Sequence, residues 1–187
     1  QATTYYESCI AEQRKLEGNI PELPFSHIWV ASQLAPKLPK NSVLHLGILA
    51  PLRSWSYFDT DKSIEVECNQ GGFGIDGNMS TLIGASLAQP GKLHFAVVGD
   101  LSFFYDMNSL GNRHVGKNVR ILLINNSLGA EFILFKQINC IYVRDVQKFI
   151  AAEGHFGHKS PNLVRDYATD LGYEYMAAWS KDEFAQC

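Results

Sequence analysis

Two polar pairs hold the most chemical potential in this chain: Gly99-Asp100, and Asn125-Asn126, whose second residue follows Asp100 by 26 positions. Each pair comes just after an apolar run, Leu93 to Val98 for the first and Ile121 to Ile124 for the second. Near-continuous apolar runs of this length read as parallel strands buried on both faces. Both pairs therefore fall at strand carboxyl ends, the edge of an open α/β sheet where ligands bind. Mg²⁺ takes about six oxygens, few of them from protein and the rest from phosphates and water. Asp100 offers a carboxylate, Asn126 an amide oxygen and the irregular backbone after it a carbonyl, while the amides of Leu101 and Ser102, at a helix start, suit a phosphate. The pattern predicts a Mg²⁺–diphosphate cradle.

The elements that must position these groups alternate. Residues 1–24 are polar and carry Gly18, Pro21 and Pro24, so they read as a linker or the tail of a preceding domain, without a helix. Ser26 caps a helix running to about Ala35, which Pro36 stops. Strands follow at Ser42 to Leu46 and Ile64 to Glu67, then a glycine loop and a helix from Met79 to Leu87 whose small residues Ser80, Gly84, Ala85 and Ala88 allow close approach to the sheet or to another domain. Between the two polar pairs, Ser102 can cap a helix bearing Phe104, Met107 and Leu110, with Asp106 in its first turn. Beyond Asn126 the chain reads as irregular to about Ile141, then as helices near 143–153 and 161–171, a strand near Glu174 to Met176, and a helix starting at Ser180. The fold class is α/β, a mostly parallel sheet with helices on both faces.

Gly72, Gly74 and Gly77 match GxGxxG ahead of a helix, with Asp100 further on at a strand end. A dinucleotide-binding fold makes the same demand, glycines for the pyrophosphate and an acid for the ribose. That alternative leaves Asn125-Asn126 and the helix start at Asp100 without a role. His155 and His158 lack a matching carboxylate pattern for a metal site, and a cationic His114 at a helix end suits the dipole.

Gly-Asp followed at this distance by Asn-Asn resembles the thiamine-diphosphate-binding motif of thiamine-dependent enzymes. The flanks NQGGFGIDGNMSTLIGASLA (69–88) and GDLSFFYDMNSL (99–110) resemble the succinyl-enolpyruvyl-hydroxycyclohexene-carboxylate synthase of menaquinone biosynthesis, the MenD family, from about Pro24 to Phe184. The resemblance implies that residues 25–187 are the diphosphate-binding domain of the thiamine-diphosphate fold, cut short at the carboxyl end and without its pyrimidine-binding domain. It implies Asp100, Asn126 and the backbone oxygen of Leu128, where the family usually has glycine, as Mg²⁺ ligands. Gly74, Gly99, Leu101 and Ser102 would line the cofactor, and Ile75 would prop thiamine diphosphate in its bent conformer. Arg53 falls where the family binds a substrate carboxylate, a role suited to the guanidinium fork, and Phe132 matches a pocket aromatic.

Gln70 stands where the family has arginine, and Ile48-Leu49 where it has Asn-Ser, so the implied activity is decarboxylation or carboligation of a 2-oxo acid at an altered substrate site. The glutamate that activates the cofactor is expected from the missing domain, of the same or another subunit, and neither Glu131 nor Asp106 substitutes for it. This chain alone is expected to be inactive and the native protein to be longer and a homo-oligomer, at least a dimer.

Composition agrees with a small-molecule enzyme domain. Of 187 residues 46% are apolar and 19% charged, enough for one core. A net charge of −3 offers no broad attraction to nucleic acid or acidic membranes. Cys9, Cys68, Cys140 and Cys187 form no CxxC pair, and no run reaches the roughly 20 apolar residues of a membrane span, so a cytoplasmic protein with free thiols is expected.

Overall fold

A computed structural model describes residues 2–129 and 160–187. The expected helix near 143–153, His155, His158, Glu131, Cys140 and Phe132 lie outside the described residues. The elements are α1 (Ala2–Gly18), α2 (His27–Leu34), β1 (Val43–Leu46), α3 (Ala50–Trp55), β2 (Glu65–Cys68), α4 (Asn78–Ala88), β3 (His94–Gly99), α5 (Asp100–Asp106), β4 (Val119–Ile124), and, near the carboxyl end, α6 (Leu163–Asp170) and α7 (Lys181–Gln186). The four described strands form one parallel sheet in the order β2-β1-β3-β4.

Side chains alternate across a strand, so one strand can feed two cores. In β3, Ala96 and Val98 pack with Met79, Leu82 and Ile83 of α4 and Phe103 of α5. Val97, between them, faces the other way and packs with Leu44 and Leu46 of β1, Ala31 of α2 and Trp55 of α3. Helices thus cover both faces, as the near-continuous apolar strands require.

The connections leaving β1 and β3 diverge. After β1 the chain enters α3 on one face, and after β3 it enters α5 on the opposite face. A topological switch point therefore lies between these adjacent strands, and in open α/β sheets a crevice at such a point holds the ligand. Gly47 makes the close approach possible: its N–H donates to the Val97 carbonyl at 2.8 Å, and a Cβ there would stand 3.2 Å from that same oxygen.

Several sequence expectations are corrected. Residues 2–18 form a helix, because Gly18 ends it and Pro21 and Pro24 lie beyond it, so these breakers terminate the helix without preventing it. Ser102 is not a cap: α5 starts at Asp100 with Gly99 as N-cap, and Ser102 lies buried inside the first turn. Asp106 is the last residue of α5, and its carboxylate caps α4 instead, accepting from the Ser80 N–H at 2.7 Å and the Ser80 hydroxyl at 2.8 Å. The small residues of α4 do not face the sheet; Ser80, Gly84 and Ala88 are exposed, and Met79, Leu82, Ile83 and Ser86 are the buried face. Glu174 to Met176 form no strand; this segment is fixed by side chains, with the Tyr167 hydroxyl donating to the Met107 carbonyl and the Tyr173 hydroxyl to the Leu110 carbonyl. The caps at Ser26 and Ser180 are as expected, each accepting a backbone N–H three residues on. α7 docks on α2 through Phe184, Trp29 and Phe25.

The α4 cap comes from a residue 26 positions away, so it ties two helices together as well as satisfying an end. Asp106→Ala is expected to lower unfolding stability by about 1 kcal/mol, and Met79→Ala, at the centre of the first core, by about 2–5 kcal/mol, as read from urea denaturation midpoints at unchanged slope.

Candidate functional site

All four described strands run in parallel, so their carboxyl ends open on one edge and the loops beyond them meet there. These are Gly47 to Leu49 after β1, Asn69 to Gly77 after β2, the Gly99-Asp100 turn after β3, and Asn125 to Gly129 after β4. Three of the four non-glycine residues with positive φ among the described residues lie in these loops: Leu49 at 69°, Phe73 at 51° and Ser127 at 61°. Such backbone is disfavoured for side chains larger than glycine and gathers where ligands are clamped.

Asp100 is the centre of the edge. It is 1% exposed, and a buried carboxylate is costly unless hydrogen-bonded. Its Oδ1 accepts the Leu101 N–H at 2.8 Å, and its Oδ2 accepts the Ser127 N–H from the loop after β4. In that loop the Asn126 Oδ1 accepts the Leu128 N–H at 3.1 Å. Asp100, Asn126 and Leu128 are thereby drawn into one hydrogen-bonded turn. The positive φ falls on Ser127, one residue before Leu128, so the residue in the glycine position does not itself adopt the left-handed conformation. Leu101, named for its amide, already spends that amide on Asp100.

His27, at the start of α2, reaches the same turn; its Nε2 lies 3.5 Å from Asn126 Nδ2. Burial holds the His27 pKa below its ordinary value, against the opposing pull of the Asp100 charge.

The glycine loop after β2 flanks an open depression of about 460 Å³ lined by Asn69, Gly71, Gly72, Gly74 and Asp76. Gly77 closes the loop at φ 74° as the N-cap of α4, and Phe73 projects at 71% exposure. Ile75 is half-buried, and its carbonyl accepts hydrogen bonds from Asn78 Nδ2 at 2.9 Å and from the Ser102 hydroxyl at 2.6 Å. Gln70 and Arg53 are exposed, on the loop after β2 and on α3 respectively. Ile48 is buried, and Leu49, beside it, carries the strained φ.

Sequence reasoning missed Asn78, His45 and His27. The available signal was a polar residue inside an otherwise apolar stretch: His45 interrupts Val43-Leu44-Leu46, and Asn78 begins a helix whose next inward residues are Met79, Leu82 and Ile83. Among the described residues, no group of three or more His, Cys, Asp and Glu side chains gathers at metal-binding distance, and no helix is long and apolar enough to cross a membrane.

Comparison with known proteins decides the family resemblance. The chain is 36% identical over 167 residues to a 2-succinyl-5-enolpyruvyl-6-hydroxy-3-cyclohexene-1-carboxylate synthase from Phocaeicola vulgatus, an alignment covering 89% of this chain and 28% of that protein. The chain is MenD-like. Proteins of the same description from Bacteroides fragilis and Christiangramia forsetii are 46% identical over 112 residues and 41% identical over 120 residues, covering 60% and 64% of this chain. The MenD-like chain spans between about a fifth and a little over a quarter of the length of these curated relatives. No family model matches it.

Two imidazoles near the edge, the buried His45 and the half-buried His27, make stability pH-dependent. His45, like His27, is held below the ordinary value near 6.5, chiefly by burial. The unfolded chain therefore binds these protons more readily, so folding stability falls as pH drops through about 6.5, by up to about 1.4 kcal/mol per pH unit for each group, and is unaffected well above it. Denaturation midpoints between about pH 8 and pH 5 are expected to fall along this slope and to flatten in His45→Gln.

Proposed function

We propose that this chain is the Mg²⁺- and diphosphate-binding domain of a thiamine-diphosphate-dependent enzyme that decarboxylates or carboligates a 2-oxo acid, with a substrate site altered from that of its MenD relatives. Enzymes of the MenD family are thiamine-diphosphate-dependent. The observation that carries the reading is the Asp100 carboxylate, buried at the end of β3 and hydrogen-bonded across to Ser127 in the loop of Asn125-Asn126.

The donor set suits a hard cation. One carboxylate, one side-chain amide oxygen and one backbone carbonyl, from Asp100, Asn126 and Leu128, would leave the rest of an octahedron to phosphate and water oxygens. Gly99 and the backbone N–H of Ser102 would face the diphosphate, the Leu101 N–H being held by Asp100, and Gly74 and Ile75 would face the thiamine end. When bound, thiamine diphosphate supplies the carbanion chemistry that releases carbon dioxide from a 2-oxo acid. The chain's part is to bind, orient and exclude water.

Arg53 would pair with a substrate carboxylate. Gln70 and Ile48-Leu49 withdraw a cation, an amide and a hydroxyl from the substrate side, which favours an acceptor different from, or less acidic than, isochorismate. The activating glutamate would come from a pyrimidine-binding domain, of the same or another subunit, in a cytoplasmic oligomer.

The dinucleotide alternative fits the topology less well. The GxGxxG loop joins β2 to β3, but β1 lies between those strands in the sheet, whereas a dinucleotide fingerprint joins neighbouring strands. Asp100, which would have to meet a ribose, is buried and bonded to backbone instead.

Calorimetric titration of thiamine diphosphate is expected to give saturable heat only with Mg²⁺, lost in Asp100→Ala and weakened about tenfold in Asn126→Ala, a loss of about 1.4 kcal/mol. Saturable NAD binding indifferent to Mg²⁺ would select the dinucleotide reading. Turnover of a 2-oxo acid is expected only when a pyrimidine-binding domain is supplied, and turnover by this chain alone would contradict the assignment of the activating glutamate elsewhere.

A further inference from the structure

Behind the glycine loop lies a closed hydrogen-bond circuit. Asn78 is wholly buried, and its Nδ2 donates both hydrogens, one to the Ile75 carbonyl at 2.9 Å and one to Ser102 Oγ at 2.8 Å. The Ser102 hydroxyl in turn donates to the Ile75 carbonyl at 2.6 Å. Asn78 Oδ1 lies 3.2 Å from His45 Nε2. The Ile75 carbonyl can only accept, so it fixes which way the amide faces; the amide oxygen then meets His45 Nε2, which carries the proton of that contact.

The valences leave no freedom. Both Asn78 donors are spent, its acceptor is spent, and the Ile75 carbonyl receives two bonds for its two lone pairs. Aspartate would set an acceptor against a carbonyl, and leucine, with the same branching but a larger volume, would leave the carbonyl with one donor. The circuit spans β1, the glycine loop, α4 and α5, and so locks the backbone of Ile75 to the same short helix that begins at Asp100. A buried polar network with every member satisfied rigidifies and specifies the geometry around it.

We propose that Asn78 is a positioning residue for the thiamine end of the cofactor, acting through Ile75, while the carboxylate of Asp100 and the amide of Asn126 hold the diphosphate end. This rests on the thiamine reading above. It divides the site into two parts that separate probes can address: inorganic pyrophosphate engages only the second part, and thiamine diphosphate engages both.

The test compares the Mg²⁺-dependent affinities of the two probes by calorimetry on the full-length protein. Asn78→Leu is expected to weaken thiamine diphosphate about tenfold, the scale of one lost buried hydrogen bond, and to leave pyrophosphate within about twofold. In an Ile75→Ala background the same substitution is expected to cost less than about twofold more, since residues acting through one contact are not additive. Equal losses for both probes, no loss for either, or full additivity with Ile75→Ala would overturn the proposal. If Asn78→Leu lacks a cooperative melting transition, Asn78→Ser, which keeps one donor, is expected to show the same selectivity for thiamine diphosphate at a smaller loss, and the same three outcomes overturn it. Wild-type protein that binds neither probe with Mg²⁺ would overturn the thiamine reading and this proposal with it.

Discussion

A carboxylate removed from water at the end of a central strand is the constraint around which this domain is built. Asp100 is almost fully buried, and an ionised carboxylate in that position needs several hydrogen bonds to offset the hydration it has lost. Two backbone N–H groups provide them, from Leu101 on its own turn and from Ser127 on the loop after β4. The second donor is available only because β3 and β4 are parallel neighbours in register, with Gly99 opposite Ile124, so that both strands end at the same level. Sheet register and site geometry are one requirement.

The same edge accounts for where the backbone is strained. Leu49, Phe73 and Ser127 hold positive φ in the loops after β1, β2 and β4, positions where glycine would be easier. Strain at these places persists only when the surroundings over-determine it. For Ser127 the compensation is visible in its N–H bond to Asp100. In the glycine loop the Asn78–Ser102–Ile75 circuit holds the backbone two residues after Phe73. Leu49 places a bulky aliphatic side chain in the same positive-φ conformation.

The two cores meet these demands differently. The core under α4 and α5 supports the glycine loop and the Asp100 turn, and Asp106 couples its two helices by capping one from the end of the other. The opposite core carries α3, and with it Arg53, to the far side of the switch point. A ligand seated between β1 and β3 would therefore be addressed from two helical layers, α5 on one side and α3 on the other.

The amino-acid sequence by itself determined the alternation of strands and helices, the caps at Ser26 and Ser180, and the Asp100 and Asn126 pair at strand ends. These depend on local signals: apolar runs, cap residues and glycines act within a few positions. It was misread where a local signal had two meanings. Gly18 and the prolines after it mark the end of α1, and Ser102 and Asp106 have the chemistry of caps without capping the helix they belong to. Only the tertiary structure decided the pairs His45–Asn78, Asn78–Ser102, Ser102–Ile75 and Asp106–Ser80, whose members stand 24 to 33 residues apart along the chain. At such separations no periodicity links two residues; the parallel sheet and the face on which each helix lands bring them together, and those are properties of the packed molecule.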